Sequence, residues 1–160
     1  MKRPVTSIVL CVLAVALVFA QGTTKDEDEI RKLIAKVNEA WTTTDGAGIM
    51  AEIMADNNFF TIIHNEQDES KSMLFDKTAF QKAFANLLAN NMPKKHVHTI
   101  KSMTFYGPVC YEIGILEDIN RVGIRTVRET FNTFHKYPEG WKLQMTIPLK
   151  EMTGAINAGS

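Results

Sequence analysis

The stretch Ile30–His64, IRKLIAKVNEAWTTTDGAGIMAEIMADNNFFTIIH, decides how the rest of the chain is read. Ile30, Leu33, Ile34, Val37, Ala40 and Trp41 recur at three- and four-residue spacing, one apolar face of an amphipathic helix. Thr42–Thr44 weaken that helix and Gly46 helps end it. Ile49, Met50, Ile53 and Met54 give a second, shorter helix its buried face, and Asp56-Asn57-Asn58 turns the chain. Phe59-Phe60-Thr61-Ile62-Ile63 then reads as a strand covered on both faces.

Upstream, Thr24-x-x-Glu27 has the form of a capping box, and the acids Asp26–Glu29 suit a helix N-terminus. Downstream, His64–Lys71 is polar and turn-like, and Met73-Leu74-Phe75 is short enough to pair back on the first strand. A third helix carries Phe80, Phe84, Leu87 and Leu88 on one side and stops at Met92-Pro93. Four strands follow: His96–Tyr106, Val109–Ile119, Ile124–Tyr137 and Trp141–Ile147. They are joined by turns at Gly107-Pro108, Asn120–Gly123 and Pro138-Glu139-Gly140, so they form an antiparallel meander. Helices first and strands afterwards define an α+β domain.

The N-terminus reads as an export signal. Lys2 and Arg3 precede the thirteen-residue apolar run Ile8–Ala20, and Val18-Phe19-Ala20 offers a peptidase cleavage site. That run is shorter than the roughly 20 residues a helix needs to cross a bilayer, so no stable membrane insertion is expected once the signal is cut. The expected layout is a signal peptide over residues 1–20, a flexible leader over 21–27, a domain over 28–150 and a C-terminal tail over 151–160. The processed chain would be periplasmic or extracellular.

The whole chain has 18 basic and 18 acidic residues, so it lacks the positive surplus that nucleic-acid binding requires. Cys11 falls in the signal, which leaves Cys110 without a disulfide partner. Between Val109 and Tyr111 it reads as a buried structural thiol.

The segment EAWTTTDGAGIMAEIMADNNFF (Glu39–Phe60) and the last hairpin FHKYPEGWKL (Phe134–Leu143) resemble the SnoaL-like branch of the nuclear transport factor 2-like superfamily. The resemblance covers Asp28–Leu149. It implies helices packed on a strongly curved, mostly antiparallel sheet that forms a cone around one pocket, and it implies a homodimer. It does not choose a reaction. The places where ketosteroid isomerases hold a base, a tyrosine and a protonated aspartate correspond here to Thr61, Val37 and Thr130. None of these can fill those roles. Relatives often carry histidines in the last strand, where this chain has Met145 and Ile147.

Candidate pocket residues follow from strand alternation. Arg128, Thr130 and Asn132 share one side of a strand, which the resemblance turns inward. Arg128 either holds an anionic ligand or pairs at the rim with an acid such as Glu112. Glu112, beside Cys110 and Gly114, reads first as a solvated carboxylate, with a buried general acid or base as the sharper alternative. His96 and His98 point the same way, but no third ligand accompanies them, so no metal and no cofactor are expected. His98 and Glu112 are the candidate catalytic residues; His64 reads as a loop residue and His135 as a surface one. Trp41, Phe60, Tyr106, Phe131, Phe134 and Trp141 are aromatics suited to a core or to an apolar cavity lining. The expected ligand-binding set is therefore Trp41, Thr61, Tyr106, Arg128, Thr130, Asn132 and Met145. The function expected first is binding of a small, partly apolar molecule without chemistry; the alternative is an isomerase, cyclase or dehydratase that uses a pocket Glu or His as its base.

Overall fold

The computed structural model describes residues 22–63 and 73–157. The expected signal peptide and the His64–Lys71 turn, His64 included, lie outside the described residues. Three helices, α1 (Thr24–Ala40), α2 (Gly46–Ile53) and α3 (Lys77–Asn91), pack on one six-stranded sheet. Its strands are β1 (Phe60–Ile63), β2 (Met73–Asp76), β3 (Lys95–Tyr106), β4 (Val109–Ile119), β5 (Ile124–Tyr137) and β6 (Gly140–Asn157). Their order is β2-β1-β6-β5-β4-β3, and among these described strands only the β1–β6 pair is parallel. The sheet curls around the helices as an open cone, so the α+β expectation holds.

Both ends of the domain extend further than the sequence suggests. Helix α1 starts inside the expected leader, with Thr23 rather than Thr24 as its N-cap. Thr23 Oγ1 accepts from the Asp26 backbone N–H at 3.1 Å, and the Asp26 carboxylate closes the capping box. Asp26 is buried because its Oδ1 also accepts from Trp141 Nε1 at 2.9 Å and Lys136 Nζ at 2.6 Å. The first turn is thus tied to the last hairpin across the length of the chain. At the other end, β6 continues to Asn157 through most of the expected tail, because the first half of β5 offers it a partner down to Ile124↔Asn157.

Gly46 opens α2 instead of closing α1. A Cβ there would run into the Ala40 carbonyl and the Leu88 side chain, so glycine is what lets three helices meet. The core beneath the helices contains Ile30, Ile34, Met50, Ile53, Phe84 and Phe134, all buried. Strand β1 alternates rather than being covered on both faces: Thr61 is buried while Phe60 is 39% exposed.

Two irregularities re-aim side chains. The β3–β4 register shifts between Ile100 and Ser102. His96 and His98 point inward before the shift and Phe105 after it, which turns Tyr106 outward to 60% exposure. The β5–β6 register shifts between Thr133 and Phe134, so Leu143 pairs with buried Phe134 while Met145 pairs with Thr133. Met145 therefore shares the outer face with its other neighbour, Phe60. Tyr106 and Met145, both expected to line the interior, lie on the outside of the cone.

Candidate functional site

The inner face of β3, β4 and β5 carries a buried polar chain. His98 sits directly opposite Leu116, and its ring leans along the sheet over Gly114 to reach Glu112. His98 Nε2 lies 3.0 Å from Glu112 Oε1, and Asn132 Nδ2 donates to Glu112 Oε2 at 2.6 Å. Glu112 is fully buried, His98 is 8% exposed and Asn132 3%. The expectation of a solvated Glu112 is corrected. Burial without partners would expel a carboxylate, but here each of its oxygens accepts a hydrogen bond.

Gly114 makes the contact possible. A Cβ at that position would collide with His98 Nε2 and lie 2.6 Å from Glu112 Oε1. Asn38 of α1 then fixes the other end of His98. Its Oδ1 accepts from the His98 backbone N–H at 2.7 Å, and its Nδ2 donates to the His98 carbonyl at 3.3 Å. These backbone groups lie on the free side of edge strand β3, so one side chain both covers the edge and sets the histidine's position. Asn38 was not singled out from sequence, since it falls on the polar flank of an amphipathic helix. Its partner is sixty residues away.

With Glu112 on Nε2, the neutral imidazole carries its hydrogen there and leaves the Nδ1 lone pair free. Nδ1 has no hydrogen-bond partner among the described residues. The arrangement can therefore accept a proton at Nδ1, with the carboxylate behind the ring stabilising the imidazolium that forms.

His96 is a separate unit. Its Nδ1 lies 2.7 Å from Asp118 Oδ1, and its ring stacks on Trp41 with centroids 4.6 Å apart and planes 8° from parallel. Burial lowers its pKa, and the Asp118 carboxylate only partly offsets that. It reads as a neutral, structural histidine, and Asp118 is its partner, unnoticed in the sequence.

The remaining expected site residues divide between the two faces. Thr130 and Asn132 are buried on the inner face, and Arg128 follows on the same row, half-buried. Trp41 caps α1 against His96 and Phe84. Thr61 is buried and donates to the Thr146 carbonyl at 2.7 Å, joining β1 to β6. Of the aromatics, Phe134 and Trp141 are core, whereas Tyr106, Tyr111 and Phe131 make an outer-face stack. His135 is half-buried beside the Tyr137 ring rather than free on the surface. Cys110 is buried, and desolvation together with the Glu112 charge pushes its thiol up to about 12, which makes it inert as a nucleophile. Outside the cone, a groove of about 340 Å³ between α1 and the last hairpin is edged by Lys32, Lys36, Glu52 and Glu139. It carries charges of both signs, and the buried His98–Glu112 pair does not line it.

A curled sheet packed against three helices is shared by many solved structures. A conserved protein from Planctomyces limnophilus superposes with a TM-score of 0.65 at 18% identity, over 79% of this chain and 100% of its own. A protein with a cystatin-like fold from Nostoc punctiforme gives 0.63 at 15% identity, over 79% and 91%. This is the nuclear transport factor 2-like, cystatin-like fold. Another protein with this fold, a provisionally assigned dehydratase of the nuclear transport factor 2-like family from Streptomyces avermitilis, gives 0.62 at 13% identity, over 79% and 97%. No family model matches the chain, and neither does any curated protein sequence. At these identities the nuclear transport factor 2-like likeness establishes architecture alone.

Proposed function

We propose that this chain is a small acid–base enzyme of the dehydratase or isomerase type, with His98 as its general base. The observation that supports this most is the buried His98–Glu112–Asn132 chain, in which Nδ1 has no hydrogen-bond partner among the described residues. Glu112 is unsuited to touch a substrate, because it is fully buried and both its oxygens are engaged. It is a positioning residue, as are Asn132 and Asn38. In a dehydration, Nδ1 takes a proton from the C–H next to a carbonyl, and the C–H electrons form the new double bond. The hydroxyl that departs receives the same proton, giving water and restoring the base. An isomerisation returns the proton to another carbon. Neither route needs a co-reactant.

The test is solvent exchange. A panel of small ketones and β-hydroxy carbonyl compounds is incubated with the protein in D2O, and deuterium incorporation is read by NMR. Exchange above the buffer rate is expected, falling about 10²- to 10⁴-fold in His98→Gln. No exchange across the panel, or equal exchange by the variant, contradicts the proposal. It would favour the second reading, a binding protein without chemistry, in which the fully satisfied Glu112 only holds the shape of the cone.

The same proposal includes export and dimerisation. The N-terminal signal pattern supports export, and the mass of the protein recovered from outside the cytoplasm should correspond to a start at Gln21. The outer-face aromatic cluster of exposed Tyr106 and Tyr111 with half-buried Phe131 suits a homodimer, which light scattering would show as twice the chain mass.

A further inference from the structure

We infer that the substrate of this site is an anion, a small carboxylate that Arg128 and Thr130 hold on the inner face of β5. This deepens the acid–base reading above and rests on it. Four buried side-chain atoms among the described residues have no hydrogen-bond partner, and two of them, Thr130 Oγ1 and Arg128 Nε, are neighbours on one inward row. Buried polar atoms are nearly always satisfied, so an orphaned pair on one face calls for a group that is not part of the chain. Both atoms can donate. What completes them is an acceptor, and beside a guanidinium the favoured acceptor is an oxyanion.

The described acids on the inner rows cannot serve. Glu112 is engaged by His98 and Asn132, and Asp118 by His96. The sheet register places the two ends of the site. His98, Leu116 and Arg128 form one cross-strand row, and Ile100, Gly114 and Thr130 the next. Two strand spacings, on the order of 10 Å, separate the His98 and Arg128 backbones. Both side chains face the same interior, and only Gly114, without a side chain, lies between the His98 ring and Thr130. A molecule with its carboxylate on Arg128 and Thr130 would thus lie beside the His98 ring on the same inner face. Thr130 is only 4% exposed, so the low dielectric at this end strengthens the attraction between Arg128 and an oxyanion.

The experiment is calorimetric titration of the full mature chain with phenylacetate and with phenylacetamide, which match in shape and differ in charge. Phenylacetate is expected to bind about tenfold more tightly or better. Arg128→Gln should abolish that preference. Arg128→Lys, which keeps the charge but not the fork, should retain part of it and guards against a folding failure in the first variant. Thr130→Val should weaken phenylacetate several-fold and leave phenylacetamide unchanged. Glu151 stands opposite Arg128 in the β5–β6 register, and Glu151→Gln should not improve phenylacetate binding. Equal affinity for the two probes, binding of neither, a preference that survives Arg128→Gln, or a tenfold gain in Glu151→Gln overturns the inference. The two proposals fail separately. Lost charge preference with intact solvent exchange contradicts only the anion site, whereas intact preference in a protein without exchange contradicts only the acid–base reading.

Discussion

One inner sheet face has two characters. Toward the last hairpin it presents Phe105, Cys110, Phe134 and Leu143, buried with Ile30 of α1. Toward the other end the same strands present His98, Glu112, Thr130 and Asn132, also buried. The change of character occurs within two residues, from Cys110 to Glu112 on β4. Apolar burial at the first end carries the fold, and the second end spends part of that stability on buried polar groups, the usual signature of a functional region.

Mutations should separate the two ends. Phe134→Ala, at a side chain with no exposure, should cost about 3–5 kcal/mol in denaturant unfolding and leave the relative affinities of phenylacetate and phenylacetamide unchanged. Glu112→Gln should do the reverse. It should lower exchange by about 10²-fold, roughly 2.7 kcal/mol of barrier, and cost less in stability than Phe134→Ala. If Glu112→Gln were as destabilising as Phe134→Ala and exchange were untouched, the two ends would not differ in role.

Asp26 gives a sharper probe of the apolar end, where it bonds Trp141. Burial alone would raise its carboxyl, but hydrogen bonds from Lys136, Trp141 and Thr23 outweigh this and hold it well below the usual carboxylate range. A depressed carboxylate stabilises the fold above its unfolded pKa of about 3.9, and that contribution is lost as pH falls from there toward the folded value. Asp26→Asn should cost about 1–3 kcal/mol at neutral pH and flatten the acid limb of a pH-stability curve. The opposite end has its own pH signature. Burial lowers the pKa of His96, so the unfolded chain takes up the proton first, and stability should decline as pH falls below about 6.5. His96→Gln should remove that slope. The smallest effect belongs to the outer face: Tyr106→Ser should change monomer stability by less than about 0.5 kcal/mol while shifting the proposed dimer toward monomer in light scattering.

How much of this could be read from the sequence depended on the range of the interaction involved. Helix α1 and the bounds of β4 and β5 follow from local periodicity, which also puts Thr130 and Asn132 on one side of β5; the family resemblance turns that side inward. Local pattern favours Thr24-x-x-Glu27, which has the glutamate typical of a capping box, over Thr23-x-x-Asp26. Trp141, 115 residues beyond Asp26, decides between them. Tyr106 and Met145 were assigned to the wrong face because each follows a register shift that no residue announces. Glu112 was legible as a position facing Cys110's side of the strand. Its burial was not, because the groups that make it tolerable stand 14 and 20 residues away.

The most direct measurement is the ¹⁵N spectrum of the His98 imidazole in its neutral form. The account predicts a ring that carries its hydrogen on Nε2, held there by Glu112, and that loses this tautomer bias in Glu112→Gln. A ring with its hydrogen on Nδ1, or one indifferent to Glu112→Gln, would contradict it.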